Sequence, residues 1–345
     1  MIPSSMQPSN KSRPFAWPWT PEPRKSSACD APLISVVTPC FNHAEFLELT
    51  IRSVLGQGYP AIEYLIIDGG STDGSAEIIN RYLPSLAYTV SEPDRGQTHA
   101  INKGLARATG DILAYLNSDD IYLPGAAARV ASFFSQNPDI DILYGERVLL
   151  IDQHGNHISV DRAPCFSLRE LLLHDFIPQP TMFFRRSVID RIGFFDESLH
   201  YVMDYEFLLR AAMEGCTFGR LDGSPIAAFR LHRTSKTMAK SLEGIQEEIA
   251  MLDRFFLDPR LPNHLRNLRQ AAHAQVYQNV AYSQYLSGQM KLARSFLLRS
   301  FAVSPTVAKS FRFWSILVKT FLGARLSGKI REWKAASFSK RAAAP

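Results

Sequence analysis

Cysteine is scarce in this sequence, and long apolar runs are missing from it. The 345 residues include only four cysteines, and no two of these have CxxC spacing. Zinc fingers and disulfide scaffolds need cysteines that are denser or regularly spaced, so the sequence argues against both classes. No run of 18 apolar residues occurs, which predicts that the chain does not span a membrane. We therefore expect a globular protein in a reducing, cytoplasmic setting.

The first 31 residues lack the continuous apolar core of a secretory signal peptide. They are rich in Pro, Ser and basic residues, a composition typical of disordered segments. We expect residues 1–31 to form a disordered leader.

Acidic residues almost disappear towards the end of the chain. The net charge is +5, but residues 291–345 hold twelve Lys or Arg and one acid, whereas residues 32–290 hold 22 basic and 30 acidic residues. From residue 310 to 345, Phe, Trp, Ile and Leu are interleaved with Arg and Lys, a pattern that suits a helix in an anionic membrane interface. A core helix with a solvated basic face has the same spacing, so both interpretations stay open. No nucleic-acid-binding motif accompanies the charge, so we expect an anionic membrane surface as partner and no nucleic acid.

Short apolar strands alternate with amphipathic helices between residues 33 and 140. The predicted strands are LISVVT (33–38), EYLIID (63–68), AYTVSE (87–92) and GDILAYLN (110–117). Strand and helix in alternation predict an α/β fold with a mainly parallel sheet and right-handed crossovers. In such sheets, ligands bind beyond the carboxyl ends of the strands.

The rest of the chain divides into two parts. After residue 140, the pattern predicts a hairpin around DQHGN, a short helix at SLRELLLHD, a strand running into a helix at TMFFRRSVIDRIG and a further helix at VMDYEFLLRAAMEG. An antiparallel edge strand is predicted at PIAAFRLH (225–232). From about residue 240 the pattern is wholly helical. Gly288, Ala293, Leu297 and Pro305 have the spacing of half a tetratricopeptide repeat, but a single copy favours a helical hairpin over a solenoid. We expect a catalytic domain at 32–239, a helical hairpin region at 240–309 and the basic tail at 310–345.

Polar residues follow four of the predicted strands at their carboxyl ends. These residues are Thr38, Asp68, the segment 92–96, and the adjacent pair Asp119 and Asp120. One Asp of that pair could cap the helix that follows, because Asp at an N-cap accepts bonds from free backbone N–H groups. The pair could also hold a divalent cation, since Mg²⁺ binds through one or two carboxylates together with substrate phosphates. Convergence of polar groups on one rim favours the cation.

Five ordered motifs between residue 33 and about residue 237 resemble the family 2 glycosyltransferases of the GT-A fold. The motifs are SVVTPCFNHAEFL, IIDGGSTDGS, SEPDRGQTHAINKGLARATGDILAYLNSDD, QPTMFFRRSVIDRIGFFDESLHYVMDYEFLLR and FRLHRTSKT. The resemblance implies a Rossmann-like sheet flanked by helices. It also implies inverting transfer of a sugar from a nucleotide-diphosphate donor to a hydroxyl.

The resemblance implies a donor pocket lined by residues from several motifs, namely Thr38, Asp68, Asp94, Lys103, Asp119, Ser235 and Lys236. Asp68 could instead close the turn that follows it, and Lys103 could be a solvated helix residue. The family commonly has a second Asp after the one at position 68, but Gly69 stands there in this sequence. The contact that this second Asp usually makes with the base is therefore in doubt.

The same resemblance implies a Mn²⁺ or Mg²⁺ site. It assigns the metal to Asp120, with Asp119 assisting or reaching the ribose, and brings His232 near the metal. Such a cation neutralises the charge that develops on a leaving phosphate. His232 could also be structural, since imidazole usually favours softer metals than Mg²⁺.

Asp204 matches a family carboxylate and is our candidate for the general base that accepts the proton of the acceptor hydroxyl. The family acid that usually precedes it is Met203 here. Asp204 could also cap its helix, and both roles are compatible because a helix N-terminus favours an ionised carboxylate. Gln179 is a candidate on the acceptor side.

Three other functions fit the sequence less well. A dinucleotide-binding oxidoreductase would need GxGxxG, which DGGSTDG lacks, and a nucleotidyltransferase would need a Gly-rich basic loop after the first strand. A catalytically inactive nucleotide-sugar-binding module is the alternative that stays open, although the acids at 119, 120 and 204 argue against it. If the basic tail binds a membrane, the acceptor expected is a lipid-linked saccharide.

Overall fold

A computed structural model of the chain describes residues 31–232 and 242–321. Residues 1–30, Ser235, Lys236 and the part of the tail after residue 321 lie outside this range, so the predictions for them do too. The chain forms two compact units. Of the described residues, the first unit comprises 31–166 and 176–232, and the second comprises 167–175 and 242–321.

The first unit contains eleven strands and six helices of the described chain. Its strands are β1 (Ile34–Cys40), β2 (Ile62–Asp68), β3 (Tyr88–Ser91), β4 (Ile112–Tyr115), β5 (Ile121–Tyr122), β6 (Ile142–Gly145), β7 (Arg147–Asp152), β8 (His157–Arg162), β9 (Phe183–Arg185), β10 (Phe218–Leu221) and β11 (Ala227–Leu231). Its helices are α1 (Ala44–Leu55), α2 (Ser75–Tyr82), α3 (Gln97–Arg107), α4 (Ala126–Gln136), α6 (Arg186–Ile192) and α7 (Met203–Met213), while α5 (Leu168–Leu173) belongs to the second unit.

Seven strands form the central sheet, in the order β10-β6-β9-β4-β1-β2-β3. All neighbours pair in parallel except β9, which is antiparallel to both β4 and β6. Every residue of β1 is buried, which explains why apolar residues such as Val36 and Val37 follow each other without alternation. The predicted α/β fold with a mainly parallel sheet is thereby confirmed.

The carboxyl ends of three neighbouring strands are in register. Cys40 pairs with Asp68, and Asp68 pairs with Ser91, so β1, β2 and β3 end at one level. The loops that follow these strands therefore begin at the same rim of the sheet.

A second sheet has the order β5-β11-β7-β8. Strand β11 lies inside it, antiparallel to β5 and parallel to β7. The prediction of an edge strand at residues 225–232 was therefore wrong, because β5 has only two residues and its pattern was too short to be recognised. The hairpin predicted around DQHGN is present as β7 and β8.

Helix α4 does not begin at the acidic pair. Strand β5 follows Asp120 directly, and the N-cap of α4 is Gly125, whose φ of 77° lies in the left-handed region that favours glycine. Capping by Asp119 or Asp120 is therefore excluded.

The second unit is helical throughout its described part. Besides α5, it contains α8 (Leu242–Leu257), α9 (Asn263–Arg266), α10 (Arg269–Leu286) and α11 (Met290–Val303), and residues 311–321 are also helical. Helices α10 and α11 pack against each other across a short turn, where Gly288 has a φ of 81°. Among the described residues, no helix combines the length and the apolar character that crossing a bilayer requires.

Candidate active site

The segment Asn117–Asp120 is hydrogen-bonded to Thr50 of α1. The hydroxyl of Thr50 lies within hydrogen-bond distance of two carbonyl oxygens of this segment, 2.9 Å from Ser118 O and 2.7 Å from Asp120 O. Thr50 is fully buried, so these bonds form in a medium where unmet carbonyl groups are costly. The backbone of the acidic pair is therefore held rigidly beyond the end of β4.

Asp120 turns its carboxylate into the protein. The residue is 1% exposed, and its Oδ1 accepts a 2.9 Å bond from the backbone N–H of Arg230 in β11. Burial, together with the neighbouring Asp119 carboxylate, raises the pKa of Asp120 well above its ordinary value. Asp120 therefore joins β11 to the acidic segment and does not present its carboxylate to the open rim.

Asp119 faces the other way and meets His232. Its Oδ2 lies 2.8 Å from His232 Nε2, and its side chain retains 15% exposure. A carboxylate oxygen accepts, so His232 Nε2 is the donor in this contact. Of the two carboxylates, Asp119 is therefore the one that contacts His232, and Asp120 is held by the backbone of Arg230.

Two further aromatic side chains surround His232. The ring of Phe46, on α1, lies 4.7 Å from the His232 ring, and the ring of His43 lies 6.0 Å from it. His43 Nδ1 is in turn 2.7 Å from Ser118 Oγ. Sequence reasoning missed His43, although its place just after β1, at the carboxyl end of a strand, is a signal that could have found it.

The donor residues predicted on β1 and β2 are internal. Thr38 is fully buried, and its hydroxyl accepts a 3.0 Å bond from Tyr64. The Asp68 carboxylate is also fully buried and accepts bonds from the Ser71 N–H at 3.0 Å, the Ser71 hydroxyl and the Ser91 hydroxyl at 2.5 Å. Asp68 therefore closes the turn after β2, as its alternative interpretation has it, and neither side chain is exposed at the rim.

Gly69 leaves room for Asp94. A Cβ atom at position 69 would lie only 2.6 Å from Asp94 Oδ2, so any larger residue would displace this carboxylate. The other Asp94 oxygen accepts a 2.8 Å bond from the Gly96 N–H. The carboxylate of Asp94 thus stands beside the position from which the family's missing second Asp would project.

Lys103 lies on α3 and pairs with Glu92. Its Nζ is 2.5 Å from Glu92 Oε1, and this contact is the main reason why the pKa of Glu92 is lowered. Lys103 is therefore engaged at the rim and is not a freely solvated helix residue.

A chain of side-chain amides crosses the rim. Gln97 Nε2 donates to Asn117 Oδ1 at 2.6 Å, Asn117 Nδ2 donates to Gln179 Oε1 at 3.1 Å, and Gln179 Nε2 donates to Tyr115 O at 2.9 Å. These bonds connect the start of α3, the acidic segment and the short 3₁₀ helix Gln179–Thr181 before β9. Both ends of the Gln179 amide are therefore engaged within the protein.

Asp204 lies in the first turn of α7, whose N-cap is Val202. Asp204 is therefore not the N-cap, which was its alternative interpretation, but it still lies at the positive end of the helix. The start of α7 is tied to the start of α3, because the Thr98 hydroxyl donates to Leu199 O at 2.9 Å and lies 3.0 Å from Met203 Sδ. Met203, the residue before Asp204, thus contacts the first turn of α3. Gln97, which begins the chain of amides, lies in the same turn.

The residues present fit a divalent cation that is completed by a substrate. Within residues 31–232 and 242–321, no three His, Cys, Asp or Glu side chains are grouped to hold a metal by themselves. Asp119 offers a carboxylate, which suits Mn²⁺ or Mg²⁺, and His232 offers an imidazole, a ligand more usual for softer metals. Diphosphate oxygens and water can supply the remaining ligands, as they commonly do for such cations.

A central parallel sheet with an acidic segment at its carboxyl rim defines a GT-A glycosyltransferase fold, and comparisons with known proteins agree with it. The sequence profile described as Glycosyl transferase family 2 matches residues 35–193. An uncharacterized glycosyltransferase of Mycobacterium tuberculosis is 35% identical over 189 residues, which cover 53% of this chain and 70% of that protein. A PGL/p-HBAD biosynthesis glycosyltransferase of Mycobacterium bovis is 29% identical over 184 residues, covering 52% and 70%. The chain belongs to glycosyl transferase family 2.

Two solved structures show the same fold at low sequence identity. TarS of S. aureus, in complex with UDP-GlcNAc, superposes with a TM-score of 0.58 at 16% identity, covering 87% of this chain and 92% of that one. A mannosyltransferase from Pyrobaculum calidifontis, in complex with GDP-Man and Mn²⁺, gives a TM-score of 0.56 at 17% identity and covers 88% of both chains. The expected enzyme class, a glycosyltransferase, is confirmed by the family and its named members.

Proposed function

We propose that this glycosyltransferase moves a sugar from a nucleotide-diphosphate donor to a hydroxyl of a saccharide, with inversion and with Mn²⁺ or Mg²⁺. The observation that carries the proposal is the contact between Asp119 and His232, 2.8 Å apart, beyond the ends of the parallel strands. Ligands of α/β sheets bind at this rim.

Asp119 and His232 are the residues proposed to hold the cation. This differs from the sequence-based assignment to Asp120, because the Asp120 carboxylate is buried and bonded to the Arg230 backbone. The bound cation supplies a Lewis acid that offsets negative charge on the diphosphate. Asp94 and Lys103 are proposed to face the nucleotide from the neighbouring loop and helix, since both are held at the same rim.

Asp204 is the proposed general base. The acceptor oxygen attacks the anomeric carbon on the face opposite the diphosphate, the bond from carbon to phosphate oxygen breaks, and the hydroxyl proton passes to Asp204. The positive end of α7 favours the ionised carboxylate that this step needs. Gln179 is proposed to orient the acidic segment through Asn117, rather than to offer a free amide to the acceptor.

The acceptor is proposed to be a lipid-linked saccharide at the inner face of a membrane. The helix at residues 311–321 leaves large apolar side chains in solvent: Phe311 is 86% exposed, Trp314 50%, Val318 54% and Phe321 69%. These four positions recur at helical spacing on one face. Residues 290–321 also hold six Lys or Arg and no acid, which attracts an anionic lipid surface. Apolar and basic side chains together suit a helix that lies in an anionic interface.

A donor-hydrolysis assay tests the central proposal. The full chain is incubated with UDP-GlcNAc, UDP-glucose or GDP-mannose and Mn²⁺, and the release of nucleotide diphosphate is measured before and after EDTA. We expect release from one donor, lost in EDTA and restored by Mn²⁺. Donor binding by calorimetry without release from any donor, with or without added oligosaccharides, would favour an inactive binding module instead.

A further inference from the structure

Arg230 makes contacts that the reaction proposed above does not use. It is a buried arginine of β11, 3% exposed, and lies two residues before His232. We propose that Arg230 is a positioning residue, which fixes the backbone of the acidic segment so that the Asp119 carboxylate meets His232. The cation-binding purpose of the Asp119–His232 pair rests on the proposed function. The geometry that Arg230 imposes on the pair does not.

Arg230 holds both acidic residues at once. Its backbone N–H donates to Asp120 Oδ1 at 2.9 Å, and its side-chain Nε donates to the backbone carbonyl of Asp119 at 2.8 Å. One bond thus fixes the side chain of the buried acid, and the other fixes the peptide group just before it. With both fixed, the carboxylate of Asp119 lies in contact with His232.

The far end of the Arg230 side chain anchors the same site to two other elements. Its Nη1 donates to the carbonyls of Asp152 at 3.3 Å and Gln153 at 3.2 Å, in the turn of the β7–β8 hairpin. The guanidinium also lies 5.1 Å from the centre of the Phe46 ring, and this same ring contacts His232. Arg230 therefore positions His232 through the Phe46 ring, and it positions Asp119 through the hydrogen bond to its carbonyl.

Charge supports the same role. Two adjacent carboxylates repel each other, and a cation in contact with their segment reduces this repulsion. An arginine side chain stays charged in proteins. A lysine would supply charge, but it could not span three carbonyl groups with a planar fork of donors.

The chain offers a matched control in Arg186. Its Nε and Nη2 donate to the carbonyls of Gly110 and Ala108 at 2.8–3.0 Å, before the start of β4 and thus at the opposite rim of the sheet. Arg186→Gln removes a similar set of bonds to carbonyls without touching the acidic segment. Both substitutions are expected to lower the free energy of unfolding, but only the one at Arg230 should change the site.

The experiment uses the full chain labelled with ¹³C at histidine, with three variants: Arg230→Gln, Arg230→Lys and Arg186→Gln. The His232 ring resonance, assigned by a His232→Gln variant, is recorded with and without Mn²⁺ alone. We expect Arg230→Gln to shift this resonance. The Mn²⁺ concentration needed to broaden it should rise about 10–100-fold, the usual loss of metal affinity when a group that orients a metal ligand is removed. Arg230→Lys should fold and recover only part of the response, and Arg186→Gln should match the parent chain.

Two results would overturn the inference. One is a His232 resonance and Mn²⁺ response in both Arg230 variants equal to those of the parent chain. The other is an equal change in Arg186→Gln, which would point to a general loss of stability. If the parent chain shows no response to Mn²⁺, the proposed function fails, but the shift of the His232 resonance without metal still tests the positioning role.

Discussion

Asp119 and His232 are 113 residues apart in sequence and 2.8 Å apart in the structure, joined through Oδ2 and Nε2. The neighbouring Asp120 is turned the other way, into a bond with the backbone of Arg230. Two adjacent carboxylates thus serve different purposes, because one is held inside the protein and the other is left at the rim.

The two acids should respond differently to substitution. Asp119→Asn is expected to lower donor turnover by about 10²-fold or more, because an amide is a poor ligand for a hard cation, with little change in the free energy of unfolding. Asp120→Ala should instead destabilise the protein by about 1–3 kcal/mol, because the Arg230 N–H loses its buried acceptor. Urea unfolding and steady-state kinetics on both variants check the contrast. Equal loss of stability in the two would mean that Asp119 is also structural.

Asp204→Asn should lower turnover by about 10²-fold or more, the scale of a general base, while donor binding survives. The substitution keeps the size of the side chain in the first turn of α7 but removes its basic oxygen. Glu77→Gln, in the first turn of α2, is the control for changing the charge at a helix start. Kinetics and calorimetry with Mn²⁺ and donor separate the two effects. If donor affinity fell while turnover at saturation held, Asp204 would belong to the nucleotide site.

Glu63, at the rim opposite to the site, should make the free energy of unfolding depend on pH. Burial acts to raise the pKa of Glu63, but bonds from Ser35 and from the N–H and hydroxyl of Thr109 lower it below its ordinary value of 4.5. A carboxyl whose pKa is lower in the folded state stabilises the fold above its ordinary pKa, and loses this effect as the pH falls through the folded value. Glu63→Gln should therefore cost about 1 kcal/mol at pH 7, after allowance for solvent screening. Urea unfolding from pH 7 to acid should show this difference shrinking, and a constant difference would contradict the assignment.

The exposed face of the helix at residues 311–321 should bind anionic vesicles. We expect the full chain to sediment with vesicles that contain phosphatidylglycerol, in a salt-dependent way, and not with phosphatidylcholine alone. Phe311→Glu with Trp314→Glu should abolish this binding, because both side chains are solvent-exposed. Ile158→Glu, at an exposed apolar residue of β8, is the matched control and should bind like the parent chain.

Deletion of residues 322–345 separates the described helix from the rest of the tail. Retained binding by this truncated chain, with loss in the double variant, would place the membrane contact on residues 311–321. Retained binding in the double variant would remove the basis for the proposed surface.

The sheet and its rim could be predicted from the sequence because their signals are local. A fully buried parallel strand carries consecutive apolar residues, as β1 does at Val36 and Val37, and the helices between such strands keep a period of 3.6 residues. The turn that begins at Asp68, at the end of β2, could also be predicted, because its residues are typical of turns. Strands as short as β5 have too few residues to show the alternation that identifies a strand. The second sheet and the internal position of β11 therefore could not be predicted.

The sequence by itself determined the α/β fold, the motif order that defines the family, and the presence of two acids at the end of β4. Only the tertiary structure decided which acid faces outward, because this depends on Arg230 and His232, 110 and 113 residues further along the chain. Likewise, Asn117 and Gln179 meet only because β9 is inserted antiparallel beside β4. A side chain's direction is set by the partners that satisfy its polar atoms, and when those partners are distant in sequence no local pattern can reveal them.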